Sequence, residues 1–432
     1  MIVAQKAAAA SQIFATKNRA SHMIARNVNR CWGRVLAVPL VALTLALSAC
    51  GEGGTVTSPL SGATPTPSPT PTPTPTNSTG QATAAATTID FDNLLNYVAP
   101  QLPAYYDATL DPLDNVPVNN PTNNRIATLG RVLFYDRALS VNRAVSCAAC
   151  HQQAFGFDDP ARFSTGFSGA AFTTAHATRL GNVRYWAPGT MFWDRRAATL
   201  ELQASQPITN PIEMGWDNAA GGMPALVARL QGMAYYQELF TFAYGDATVT
   251  ETRLQRALAN FQRAMIASSS RWDTAFAPVF NPALPNRGLN QPFPAFTTQE
   301  ERGHQLFMTP RADGGAGCSG CHQPPTFGLA ANSRSNGLDA GETRIFKSPA
   351  LKNVALSRFF MHDGRFSTLA QVVDFYDSGI QAGPALDNRL INNGQPQRLN
   401  LSAADKAALV AFMQTFTDTS LNTDPRFSSP FR

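Results

Sequence analysis

The sequence has 432 residues, enough for two or three ordinary domains, and carries a formal charge of +5 from 34 basic and 29 acidic residues. Six of the basic residues (Lys6, Lys17, Arg19, Arg26, Arg30 and Arg34) fall within residues 1–49, which hold no acidic residue, so the rest carries 28 basic against 29 acidic. That balance excludes nucleic acid as an expected partner, and no phosphate loop or Ser/His/Asp arrangement points to a nucleotide-binding protein or a hydrolase.

Taken in order, residues 1–22 are Ala-rich and basic, and Met23 is a second candidate start. Arg26, Arg30 and Arg34 followed by the apolar run 35–49 read as a signal peptide over 1–49, since fifteen residues broken by Pro39 are too few to span a membrane. The run ends in Leu47-Ser48-Ala49-Cys50-Gly51, which resembles the lipobox of bacterial lipoproteins and makes Cys50 the lipidated first residue of the mature chain. The alternative is ordinary cleavage after Ala49. Gly51 stands where an inner-membrane retention signal has an Asp, so the expected location is the periplasmic side of a bacterial membrane, as an outer-membrane lipoprotein. Residues 64–76 are a Thr-Pro repeat; at about 3.1 Å per residue, a polyproline II spacer of this length reaches about 40 Å. The linker is assigned to 50–88.

The folded part is expected from Ile89, with a helical turn over 93–98 and a proline-dotted connection over 100–121. Gly130-Arg131-Val132-Leu133-Phe134 leads into Cys147-Ala148-Ala149-Cys150-His151, and Gly303-His304-Gln305-Leu306-Phe307 leads into Cys318-Ser319-Gly320-Cys321-His322. Between them, 224–231, 234–244 and 251–266 carry apolar residues at helical spacing. Residues 278–294 hold five prolines and read as the interdomain linker. Thr297 or Thr298 with Glu300 and Glu301, and Ser402 with Asp405, read as capped helix starts. Strand signals are weak. The expected fold is mainly α with little β: two cytochrome-c-like domains in tandem, 89–290 and 295–432.

Each C-x-x-C-H stretch is the attachment signature of a c-type haem. Two thiols add to the two vinyl groups of the porphyrin, and the next residue places an imidazole under the iron. Covalent attachment of two haem c groups is therefore expected, through Cys147, Cys150, Cys318 and Cys321, with His151 and His322 as proximal ligands. A zinc site or a redox dithiol is the alternative, but neither explains a His directly after both second cysteines.

Residues 126–418 resemble the bacterial di-haem cytochrome c peroxidases and their MauG-type relatives, which mature a quinone cofactor in a partner protein. Besides the haem motifs, the resemblance rests on Phe192-Trp193-Asp194-Arg195-Arg196-Ala197-Ala198-Thr199-Leu200-Glu201, Asn210-Pro211-Ile212-Glu213-Met214-Gly215, Phe346-Lys347-Ser348-Pro349-Ala350-Leu351-Lys352-Asn353-Val354 and Phe359-Phe360-Met361-His362-Asp363-Gly364-Arg365-Phe366. It implies that the first haem meets hydrogen peroxide and the second passes electrons. Glu213 then matches the acid/base that moves a proton between the peroxide oxygens, Gln203 a pocket glutamine, and Trp193 the tryptophan that relays electrons between haems. His362 and Arg365 are expected at the haem propionates or the domain interface.

Two departures decide the type. Where peroxidases keep a distal His on the first haem, this chain has Ser168-Gly169-Ala170-Ala171. His176 falls where the family has an Asn that helps bind calcium; a substitute ligand, a pocket group or a hydrogen-bonded surface histidine are its open roles, and the calcium site is in doubt. On the second haem, Tyr376 stands where peroxidases have a Met, as in the MauG type. A phenolate oxygen is a harder donor than a thioether and lowers the reduction potential. The expected function is oxidation by hydrogen peroxide, with a small cytochrome c or cupredoxin as donor or a protein as MauG-like substrate. The alternative from another class is a di-haem electron carrier without peroxidase turnover.

Overall fold

The computed structural model describes residues 78–432, so the expected signal peptide, Cys50 and the Thr-Pro repeat lie outside the described residues. The helices are α1 (Gln81–Ala86), α2 (Asn124–Tyr135), α3 (Cys147–Cys150), α4 (Leu200–Thr209), α5 (Gly222–Gln231), α6 (Ala234–Tyr244), α7 (Glu251–Arg263), α8 (Arg271–Phe276), α9 (Thr298–Met308), α10 (Leu369–Asp374), α11 (Ala403–Gln414) and α12 (Thr419–Thr423). Among the described residues, strand is confined to two antiparallel hairpins of two-residue strands, β1 (His322–Gln323) with β2 (Gly328–Leu329) and β3 (Ile391–Asn392) with β4 (Gln395–Pro396). No helix among the described residues is long and apolar enough to cross a membrane.

The two lead-in segments build the same joint twice. α2 crosses α7 at Gly130, where a Cβ would lie 2.0 Å from the Ala257 carbonyl oxygen and 2.9 Å from Phe261 Cβ. α9 crosses α11 at Gly303, where a Cβ would lie 2.0 Å from the Ala408 carbonyl oxygen and 2.7 Å from Phe412 Cβ. Glycine is required at both because the helix backbones touch there. Three residues on, Leu133 and Phe134, and Leu306 and Phe307, enter two separate cores. The first core takes α2 and α4 to α7; the second takes α8, α9 and α11. Thr297 and Glu300 form a complete capping box on α9, and the Ser402 side chain caps α11.

Three expectations change. Residues 78–88, assigned to the linker, are folded: Glu238 of α6 accepts from the Ala82 and Thr83 amides, satisfying free N–H groups of the first turn of α1. Residues 93–98 form no helix, because the side chains of Asn96 and Asn124 take the amides of Tyr97, Val98 and Ala99 instead. The proline-rich stretch 278–294 folds onto the second core through Val279, Phe280, Leu289 and Phe293.

Candidate functional site

The first Cys pair sits on the single turn α3, with His151 as its C-cap. His151 Nδ1 lies 3.3 Å from the Phe157 carbonyl oxygen, a contact that suits a proton on Nδ1 and leaves Nε2 for a metal. Burial lowers the His151 pKa, keeping the ring in the neutral form a ligand needs. Cys147 packs against the first core.

Glu213 lies beside this pair. It stands in the turn that follows α4, where the Asn210 side chain accepts from the Ile212 and Glu213 amides. Its carbonyl accepts from Phe167 N–H at 3.0 Å, so the loop containing Ser168, Gly169, Ala170 and Ala171 packs its backbone on the Glu213 turn. Burial raises the Glu213 pKa, against the pull of Arg196, and the charge of Glu213 in turn helps raise both Cys147 and Cys150. Gln203 is half-buried on α4, and its side chain has no hydrogen-bond partner among the described residues; nothing joins it to Glu213.

The second pair, Cys318 and Cys321, opens into a cavity lined by His322, Phe307, Leu409, Met413, Tyr376 and Trp193. His322 Nδ1 is buried and has no protein partner. Burial, then Arg179 and Arg389, push its pKa down to about 4. Tyr376 faces this cavity from a π-helical turn, Phe375–Gly379, that directly follows α10. Such one-turn widenings reorient a single side chain and recur at functional sites. The Tyr376 hydroxyl is 3.5 Å from Asn336 Nδ2, which also lies 3.4 Å from Met361 Sδ. Burial pushes the phenol up to about 12.

Trp193 stands at the wall of the second cavity. Its indole N–H donates to the His176 carbonyl at 2.7 Å, and its own carbonyl accepts from Lys347 N–H at 2.8 Å. His176 is buried rather than at the surface. Its Nδ1 is 3.1 Å from the Arg162 carbonyl oxygen and its Nε2 is 3.3 Å from Asp158 Oδ1, an ion-pair distance without hydrogen-bond alignment. Burial opposes charging of the ring, but Asp158 outweighs it and raises the His176 pKa. Both nitrogens are thus committed to protein groups, and Asp158 directly follows Phe157, whose carbonyl faces His151. His362 lines the cavity with its ring stacked on Phe346 at 4.6 Å, and its carbonyl accepts from His176 N–H. Arg365 does not reach the cavity: it pairs outward with Asp339 and Asp363 at 2.7 and 2.8 Å.

The residues fit a haem at each motif. The four thiols are free and are held protonated by burial, Cys147 and Cys318 at about 12 and Cys150 at about 11, the opposite of what a redox dithiol or thiolate zinc site requires. The pairs pack on different cores, and among the described residues no group of three or more His, Cys, Asp or Glu is placed to hold a metal ion. An orphaned buried His322 Nδ1 and Gln397 Oε1 line an apolar cavity next to two cysteines. Asp158, Arg179, Asn336 and Gln397 were not singled out in the sequence, since each lies in irregular chain with no motif around it.

Comparison with known proteins agrees with this geometry. The profile of the family described as di-haem cytochrome c peroxidase matches residues 124–278 and 297–423. The chain is 30% identical over 312 residues to the methylamine utilization protein MauG of Methylophilus methylotrophus, covering 69% of this chain and 84% of that one. It is 28% identical over 327 residues to cytochrome c551 peroxidase of Nitrosomonas europaea, covering 72% and 85%. A crystal structure of a MauG-like protein associated with microbial copper homeostasis superposes with a TM-score of 0.62 at 30% identity, covering 77% of this chain and 99% of that chain. The di-haem peroxidase BthA of Burkholderia thailandensis, at 23% identity and a TM-score of 0.54, shares the fold. The chain belongs to the di-haem cytochrome c peroxidase family and is a di-haem oxidoreductase of the peroxidase type.

Proposed function

We propose that the chain uses hydrogen peroxide at the Cys147–His151 site, that electrons cross from the Cys318–His322 site by way of Trp193, and that the working substrate is a protein, in MauG fashion. The observation that carries this reading is a chain of contacts between the motifs. His151 faces the Phe157 carbonyl, Asp158 meets His176, the His176 carbonyl holds the Trp193 indole, and Trp193 lines the cavity of His322 and Tyr376. Cys147 and Cys150 with His151, and Cys318 and Cys321 with His322, would hold covalent haem c, which would supply peroxide activation and one-electron storage.

The protein groups do the rest. Glu213, half-buried and with a raised pKa, takes a proton from the inner peroxide oxygen and returns it to the outer one. Gln203, with a free side chain on the preceding helix, orients the oxidant. Tyr376, its approach set by the π turn and its hydroxyl beside Asn336, would help hold the iron of the second haem. Burial pushes that phenol up to about 12, and a bound iron would favour its phenolate. His362 packs beside Trp193, at 6.5 Å between rings, and keeps water from the bridge. His176 is a positioning group rather than a ligand, and no calcium is part of this reading.

The two haem lobes, expected at 89–290 and 295–432, are read as dividing ahead of α8, since α8 and 278–294 pack in the second core, with the lipidated Cys50 and the Thr-Pro spacer holding them on the periplasmic side of an outer membrane. A small cytochrome c or cupredoxin donor is the peroxidase variant of the same chemistry. The test is rapid-mixing optical spectroscopy of the fully oxidised holoprotein with stoichiometric hydrogen peroxide and no reductant. An immediate, long-lived spectral change is expected. Reaction only after one-electron reduction marks an ordinary peroxidase, and no reaction in either state leaves an electron carrier.

A further inference from the structure

A second redox-ready group lies in the first core, against which Cys147 packs. Asp136, at the end of α2, is buried, and its Oδ2 accepts from both the Tyr235 hydroxyl at 2.6 Å and the Tyr236 hydroxyl at 2.7 Å. The two rings lie 4.6 Å apart at 37°. Tyr236 is fully buried in the first core, against which Cys147 also packs, while Tyr235 is half-buried toward the surface. Burial, then Asp136, hold both phenols protonated well above their ordinary value, and Cys147 adds to the effect on Tyr236.

A neutral phenol gives up an electron readily only when its proton has somewhere to go, and a carboxylate at hydrogen-bond distance is such an acceptor. The neighbouring indole is arranged the opposite way. Trp216, two residues beyond Met214, has the Arg229 guanidinium 4.3 Å from its ring centroid, and that guanidinium is tied only to the Ala138, Ser140 and Val141 carbonyls. A cation over the ring opposes removal of an electron. Along the one segment 136–141, the phenols are therefore given an anion and the indole a cation.

We propose that Tyr236, Asp136 and Tyr235 form a proton-coupled redox relay that carries oxidising equivalents from the first haem site toward the surface. The relay rests on the reading that peroxide reacts at that site. Reduction of hydrogen peroxide to two waters takes two electrons and two protons. One electron comes from the Tyr236 phenol, whose proton passes to Asp136, leaving a neutral phenoxyl radical and a carboxylic acid; the other comes from the Cys318–His322 site by way of Trp193, and the two protons come from solvent through Glu213. Tyr235 then gives an electron to the Tyr236 radical, which retakes its proton from Asp136 while the Tyr235 proton moves onto Asp136. The radical ends on Tyr235, and Arg229 keeps it off Trp216.

The experiment mixes the full-length, fully oxidised holoprotein with one equivalent of hydrogen peroxide without donor, and reads three signals: the haem spectrum, the freeze-quenched radical by electron paramagnetic resonance, and the oxidised residues by peptide mass spectrometry. A tyrosyl signal is expected, with oxidation mapped to Tyr235. Tyr236→Phe and Asp136→Asn are each expected to lower its yield at least about tenfold, through loss of the proton-coupled step. Tyr236→Phe keeps the ring and decides the matter should Asp136→Asn fail to fold. Arg229→Gln is expected to bring oxidation onto Trp216. A haem change with no tyrosyl signal, or a signal of unchanged yield in Tyr236→Phe, overturns the relay while leaving the peroxide reading standing. An unchanged haem spectrum overturns that reading and, with it, the relay.

Discussion

The two haem lobes use one scaffold and two environments. In each, a lead-in helix meets a later helix at a glycine, Gly130 against Ala257 and Gly303 against Ala408, and delivers a Leu-Phe pair to the core before the Cys pair. The surroundings then diverge. His151 has a carbonyl for its Nδ1 and a carboxylate, Glu213, close by; His322 has no partner for its Nδ1, two arginines near it, and a tyrosine facing its cavity. Repeated helices fix where a haem is attached, and the unrepeated loops and turns fix what it does. On the function proposed above, the carboxylate side would handle protons and the tyrosine side would favour the oxidised state.

The comparison is broken most severely by removing one attachment at a time. Cys147→Ala with Cys150→Ala should leave one covalent haem by mass and abolish the peroxide reaction of the oxidised protein. Cys318→Ala with Cys321→Ala should also leave one haem but retain a peroxide response at the first. Equal loss in both would mean the lobes do not divide the chemistry. Next in size is Glu213→Gln, expected to slow the peroxide reaction about 10²- to 10⁴-fold with an unchanged resting spectrum. The ionised form must be present to take the first proton, and burial raises the Glu213 pKa. The rate should therefore rise with pH through a midpoint above the ordinary glutamate value of about 4.3, and that limb should vanish in the variant.

A smaller effect tests the scaffold itself. Gly130→Ala and Gly303→Ala each drive a methyl to 2.0 Å from a backbone carbonyl, so each should cost about 3 kcal/mol in chemical denaturation. Similar losses at the two positions would show that the joint is a true structural repeat; a loss at one alone would deny it.

The scaffold was legible in the sequence because it is local and repeated: Gly-x-x-Leu-Phe, the Cys pairs, and the Thr297 and Ser402 caps each sit within a few residues of what they act on. Helix 234–244 matched its expected limits for the same reason. The environments were less legible. The π turn at Tyr376 leaves no mark in the sequence around it, and the role of His176 stayed open among three because Asp158 and Arg162, which fix it, approach from elsewhere in the chain. Arg365 shared a motif with His362 yet points away from the cavity, since adjacent residues of irregular chain need not share a face.

The finest test falls on the bridge between the lobes. Asp158 raises the His176 pKa against the effect of burial, so the folded state holds the His176 proton more tightly than the unfolded chain does. The stabilisation is full below the ordinary histidine value of about 6.5 and is lost as pH rises through the folded value above it. His176→Gln should then cost about 1–3 kcal/mol near pH 5.5, the range for leaving a buried group such as Asp158 unsatisfied, and less at pH 9. The Trp193 indole is held by the His176 backbone carbonyl, which the substitution keeps. Electron transfer between the lobes, timed by the decay of a half-reduced state after rapid mixing, should change far less than stability does. If instead transfer slows sharply while the pH dependence of stability is unaltered, the imidazole itself carries the coupling and the Asp158 pair does not anchor the bridge.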